Sequence, residues 1–122
     1  MNILLWILQF FLAFSFGYSG VMKATQSRER LVSIGQTGVE HISYSLIRFI
    51  GISEVLGAVG ILLPWWLTIF PVLTPVTAVC FAVIMVLAVP IHYKRHEMKA
   101  VGINTVFFLI SVLVAWMRFS QL

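Results

Sequence analysis

Four stretches of the chain run almost without a polar side chain: Ile3 to Met22, Tyr44 to Leu63, Leu67 to Ile91 and Ala100 to Met117. Each has a length suited to crossing a hydrocarbon core of ~30 Å, which takes roughly 17–25 helical residues. None shows the alternation of inward and outward positions that a membrane barrel strand requires. Only helices and closed barrels satisfy every backbone group in lipid. The pattern predicts an all-α fold, an integral membrane four-helix bundle, as one domain over residues 1–122. The first stretch reads as a retained helix rather than a secretory signal, since no Lys or Arg precedes it and no small-x-small cleavage site follows.

The polar segments between these stretches differ in length and content. Lys23 to Ser43 is too long for a simple turn, and SRERLVSIGQTG within it predicts a short helix capped by Ser27 and ending near Gly35. Leu31, Val32 and Ile34 give that helix an apolar side, suited to lying on a membrane surface. The third stretch carries Pro71 and Pro75 near its start, so its regular helix is expected to begin around Thr74. Pro90 falls in its last turn.

Composition sharpens the class. The chain is 61% hydrophobic and 10% charged, with a mean hydropathy of +1.03, where a soluble domain is about half apolar and about a quarter charged. The lipid bilayer is therefore the first partner. Lys23, Arg28, Arg30, Lys94, Arg95 and Lys99 lie in or beside the first and third connections, and only Arg118 lies at the opposite end. The positive-inside rule places those connections in the cytoplasm and both termini on the outer side. Trp6, Trp65, Trp66 and Trp116 fall at the outer interface, and Tyr18, Tyr44 and Tyr93 near the inner one, as interfacial aromatic belts do. Lys and Arg show no clustering with stacking aromatics on a soluble face, so no nucleic-acid partner is expected. Cys80 is the single cysteine, which leaves no disulfide or C-x-x-C chemistry within the chain.

Against this background one carboxylate stands out. In IGISEVLGAVGILLP, Ile50 to Pro64, Glu54 lies among Gly51, Gly57, Ala58 and Gly60. An ionisable group about nine residues into a span costs at least ~2.5 kcal/mol unless paired, hydrated or protonated. On a helical wheel at ~100° per residue, Gly51, Gly57 and Ala58 flank Glu54, forming the small-residue surface that lets helices approach closely. Its candidate partners are Lys23 and Tyr18 on the first span, His92 ending the third, and Asn104 early in the fourth. These five residues, Glu54, Lys23, His92, Asn104 and Tyr18, are the candidate ligand or proton site, facing inwards and opening to the cytoplasmic side. The competing reading is a Lys23–Glu54 pair that fixes helix register without chemistry, with Asn104 as interhelical hydrogen-bonding glue and His92 as an interfacial anchor. Arg48 lies ~120° around the wheel from Glu54 and is expected to reach lipid head groups. No metal site is expected from one His, one Glu and one Asn without paired histidines. Cys80, Met85 and the phenylalanines Phe10, Phe11, Phe14 and Phe16 read as lipid-facing or packing surface. The small-residue stripes Ala13/Gly17/Gly20 and Gly57/Gly60 suit either a homo-oligomer or contacts within one bundle.

GVMK (Gly20 to Lys23), ISEVLGAVGILLP (Ile52 to Pro64), TPVTAVCFAVIMVLAVPIHYKRHE (Thr74 to Glu97) and the AW ending of the fourth span (Ala115, Trp116) together resemble the DoxX-like membrane proteins. The resemblance runs from about Gly17 to Trp116. It implies a small four-helix protein of the bacterial inner membrane and an association with membrane redox systems, since the family name derives from a subunit of a thiosulfate:quinone oxidoreductase. It also singles out Glu54, Lys23 and His92. Family membership does not transfer an activity, and no thiosulfate site, haem ligand set or flavin motif is visible in the chain.

Three functional readings follow. One is a redox-associated subunit or accessory whose pocket holds a quinone head group, with electrons supplied by a cytoplasmic or membrane redox partner. The basic face of Arg28, Arg30, Arg95 and Lys99 either docks such a partner or serves only topology. The second is a small proton-coupled transporter. Small multidrug exporters of similar size carry their essential glutamate in the first helix, where this chain has only Gln9 as a buried polar side chain, and a glutamate neutralised by Lys23 would not attract a cationic drug. The third is a non-catalytic membrane assembly protein.

Overall fold

The computed structural model describes residues 2–34, Glu40 and 42–122. Among them the structure is entirely helical: α1 (Asn2–Thr25), α2 (Arg28–Ser33), α3 (Tyr44–Leu67), α4 (Leu73–Lys94) and α5 (Met98–Ser120). Four of these, α1, α3, α4 and α5, are long and apolar enough to cross a membrane. Large apolar side chains such as Phe14, Phe49, Leu56, Leu87 and Trp116 lie exposed on their outer faces, as a lipid solvent requires.

The short α2 begins as its sequence predicts. The Ser27 hydroxyl accepts the Arg30 N–H at 3.2 Å, the N-cap bond that satisfies an otherwise orphaned donor. Leu31 is its buried face, packed with Ile47 of α3 and flanked by Met22 and Ile42. The expected stop at Gly35 lies outside the described residues. Ser43 caps α3 in the same way, accepting the Leu46 N–H.

Two boundaries differ from the hydropathy pattern. α3 continues past Leu63 through Pro64 to Leu67, so Leu67 ends the second span rather than opening the third. Pro64 has no N–H for the Gly60 carbonyl, and the Thr74 hydroxyl of α4 turns to that carbonyl instead, at a long 3.4 Å. α4 starts at Leu73, close to the expected Thr74, with Pro75 in the first turn, where the missing donor costs nothing.

The helices form a ring in the order α1, α3, α4, α5. α1 packs most extensively on α3, and α4 on α5, giving two helix pairs that meet along α3/α4 and more sparingly along α1/α5. The main core holds Leu5, Leu12, Phe16, Ile61, Phe81 and Val114, with Met85 at its margin. Most of it lies in the half that carries Trp6, Trp65, Trp66 and Trp116, the tryptophan end. In the other half, the basic end, the two pairs stand apart and leave space between them.

Candidate functional site

That space begins beside a close backbone contact between two helices. α1 and α3 cross where Gly20 faces Gly51. A Cβ on Gly20 would lie 2.6 Å from the Gly51 carbonyl oxygen, and one on Gly51 would lie 2.6 Å from the Ala24 nitrogen. Only glycine permits this backbone approach. Lys23 and Glu54 are each three residues beyond their glycine, one turn away on the same helix face. Lys23 Nζ donates to Glu54 Oε1 at 2.7 Å, with Glu54 2% and Lys23 16% exposed.

The pair forms one wall of a cavity of about 360 Å³. Tyr18 and Lys23 come from α1, Glu54 from α3, His92 from α4 and Asn104 from α5, so the structure brings all five candidate residues to a single cavity. Ser15 and Ser19 add hydroxyls on the α1 side, while Phe16, Ile84, Met85, Ala88 and Phe107 make the apolar walls. The floor towards the tryptophan end is aromatic. Phe16 stacks on Phe81 with ring centroids 3.9 Å apart and meets Phe107 edge-on. Phe16 is thus a cavity wall as well as core packing, whereas Phe10, Phe11 and Phe14 are exposed.

His92 is oriented by a residue that the sequence did not single out. Its Nδ1 lies 2.9 Å from Glu97 Oε1, and a carboxylate that only accepts fixes the proton on Nδ1. Arg95 joins this group, donating through Nε to Glu97 at 3.3 Å and through Nη2 to Glu40. Its guanidinium pKa is raised above the ordinary arginine value, first by the hydrogen bond to Glu40 and further by the negative charges of Glu40 and Glu97, against the opposing effect of burial. The arrangement ties the α4–α5 connection to Glu40 and holds His92 in place.

Arg48 is engaged at the end of α1. Its Nη1 donates to the carbonyl oxygens of Lys23 at 2.7 Å and Gln26 at 2.6 Å. Those carbonyls lack helical partners at the end of α1, so Arg48 caps that helix and fixes the backbone that carries Lys23. Hydropathy and wheel position did not show this role, because neither sees a carbonyl left open on a neighbouring helix.

A second polar cluster sits at the tryptophan end. Arg118 is wholly buried. Its Nε donates to Gln9 Oε1 at 2.7 Å, and its Nη1 donates to Asn2 Oδ1 and Gln121 Oε1, each at 2.6 Å. Gln9 in turn donates to the Ile61 carbonyl at 2.8 Å. The guanidinium carbon lies 4.6 Å from the Trp65 ring centroid and 5.3 Å from that of Trp6, within cation–π range. Among the described residues no carboxylate pairs with it. The inward polarity of Gln9 was visible in the sequence, but its partner was read only as a topology charge.

Among the described residues no three His, Cys, Asp or Glu side chains group as metal ligands would. No curated protein and no solved structure matches the chain. The model of the DoxX-like family matches residues 7–114, a stretch that reaches into all four long helices and takes in every residue lining the Glu54 cavity, and the chain belongs to that family.

Proposed function

We propose that this protein is a redox-associated subunit or accessory of a bacterial inner membrane that binds a quinone head group in the Glu54 cavity, with the basic end in the cytoplasm. The observation that carries the reading is a buried Lys23–Glu54 pair set into a cavity that joins a few polar side chains, Tyr18, His92 and Asn104 among them, to apolar walls. A pocket of ~300–1,000 Å³ with a few convergent polar groups is the usual form of a small-molecule site. A quinone ring is flat and apolar with two oxygen acceptors, and it takes up two electrons and two protons on reduction.

The residues present suit such a group. Lys23 spends one donor on Glu54, which leaves its other N–H groups to donate to a quinone oxygen. Tyr18, on α1 with Lys23, and Asn104, on α5, supply further donors. His92, steadied through Nδ1, presents Nε2 for proton exchange towards the basic end. Phe16 and Phe107 offer ring faces on which a quinone ring stacks. The electrons come from a partner protein. A glutamate already paired with a lysine is poorly suited to exchanging protons for a cationic drug, which sets the transporter reading behind this one.

The competing reading is that the pair only fixes helix register, and the adjacent Gly20–Gly51 crossing favours it. Mass spectrometry of small molecules co-purified from native membrane, wild type beside Glu54→Gln, separates the two. A quinone carried by the wild type and lost from a folded variant supports the site. No ligand in either sample, with the variant unstable, leaves Glu54 as a structural residue.

A further inference from the structure

α3 and α4 are drawn together at one end and forked at the other. Towards the tryptophan end, a Cβ on Gly57 would lie 2.5 Å from a Phe81 ring carbon, and one on Gly60 would lie 2.8 Å from Thr77 Oγ1. Both glycines are filled by side chains of α4. Towards the basic end the fork opens into a second cavity of about 500 Å³. It shares Lys23, His92 and Asn104 with the Glu54 cavity, as well as Ile84 and Ala88, so the two spaces meet at the polar groups.

Their other walls differ. The second cavity is bounded on α3 by Phe49, Ile50 and Ser53, and on α4 and α5 by Leu87, Ile91 and Ile103. Phe49 and Leu87 are 67% and 66% exposed on the faces that meet lipid, so the space reaches the hydrocarbon surface between α3 and α4. On the α1 side, by contrast, the Glu54 cavity is edged by Ser15, Tyr18 and Ser19, hydroxyl-bearing side chains on which a hydrocarbon chain packs poorly.

We infer that the ligand of the Glu54 cavity is a membrane-dissolved amphiphile with a long hydrocarbon chain, which enters sideways through the α3/α4 fork and leaves its chain lying there. This rests on the head-group reading above and adds the class of molecule and its route. The fork adds little hydrophobic driving force, because lipid tails are as apolar as its walls. Its effect is geometric, since it lets the polar head leave the hydrocarbon while the chain never does.

The test uses the full chain in lipid nanodiscs and two probes, a benzoquinone bearing one isoprene unit and one bearing a long isoprenoid chain. Wild type is compared with Ser53→Phe and Ile103→Phe, which fill the fork from opposite sides, and retained helicity and melting temperature verify the fold. Comparing variants probe by probe in the same nanodisc cancels partitioning into the bilayer. The expected result is that both variants bind the short probe as wild type does and weaken the long one by about tenfold or more, a steric loss of ~1.4 kcal/mol or greater. Filled variants that retain both probes overturn the inference and leave the head-group site standing. Failure of wild type to bind either probe overturns both.

Discussion

Lys23 and Glu54 are each costly in this position without the other. Removing one partner of a buried pair leaves an uncompensated charge, at about 3–5 kcal/mol, whereas replacing both with apolar side chains is often near neutral. Lys23→Met is therefore expected to lower stability sharply, and Lys23→Met with Glu54→Leu to recover most of it, read as unfolding in detergent followed by circular dichroism. A stable double variant that no longer carries a small molecule separates a site role from a register role within one protein. Which side chains meet around the cavity was legible in the sequence, because Tyr18, Lys23, Glu54, His92 and Asn104 are polar residues at matched depth in otherwise apolar helices. Glu97 and Arg48 were not, because each acts on a partner that only the folded arrangement brings near: the His92 ring in one case, the open carbonyls of α1 in the other.

At the scale of elements, the glycines among the described residues separate into those that bear on helix contacts and one that does not. Gly20→Ala and Gly51→Ala each set a methyl against backbone at 2.6 Å, where no side chain can yield. Both are expected to separate α1 from α3, lower the melting temperature and loosen the Lys23–Glu54 pair. A Cβ on Gly102 would meet nothing within 4 Å, so Gly102→Ala is expected to be neutral or to stabilise by ~0.5–1 kcal/mol through helix propensity. Thermal scans of the three variants in one detergent check this ordering. The stripes Gly17/Gly20 and Gly57/Gly60 were legible as close-contact surfaces, and the fold uses them for contacts within the bundle, against Ala58, Val55, Phe81 and Thr77. The end of α3 was less legible. Proline signals a break, yet the helix runs on through Pro64, and the Gly60 carbonyl it leaves open meets the Thr74 hydroxyl of the facing helix.

For the whole molecule, the separation of Lys and Arg, Arg118 apart, from Trp along the chain survives folding as two distinct ends. If the basic end faces the cytoplasm, a cysteine at Gln121 in a Cys80→Ser background reacts with an impermeant maleimide on intact cells, while one at Lys99 reacts only after permeabilisation. The reverse pattern would invert the orientation. The tryptophan end also joins three helices through one amide. The Gln9 N–H of α1 holds the Ile61 carbonyl of α3, while the oxygen of that same amide holds Arg118 of α5. Arg118 for its part has no carboxylate partner among the described residues and is sheltered by Gln9, Asn2, Gln121 and the rings of Trp6 and Trp65. The amide thus latches α5 to the α1/α3 pair. Gln9→Leu should leave a protein that inserts but stays unlatched, a better substrate for membrane proteases than the wild type, with a shorter half-life in pulse-chase.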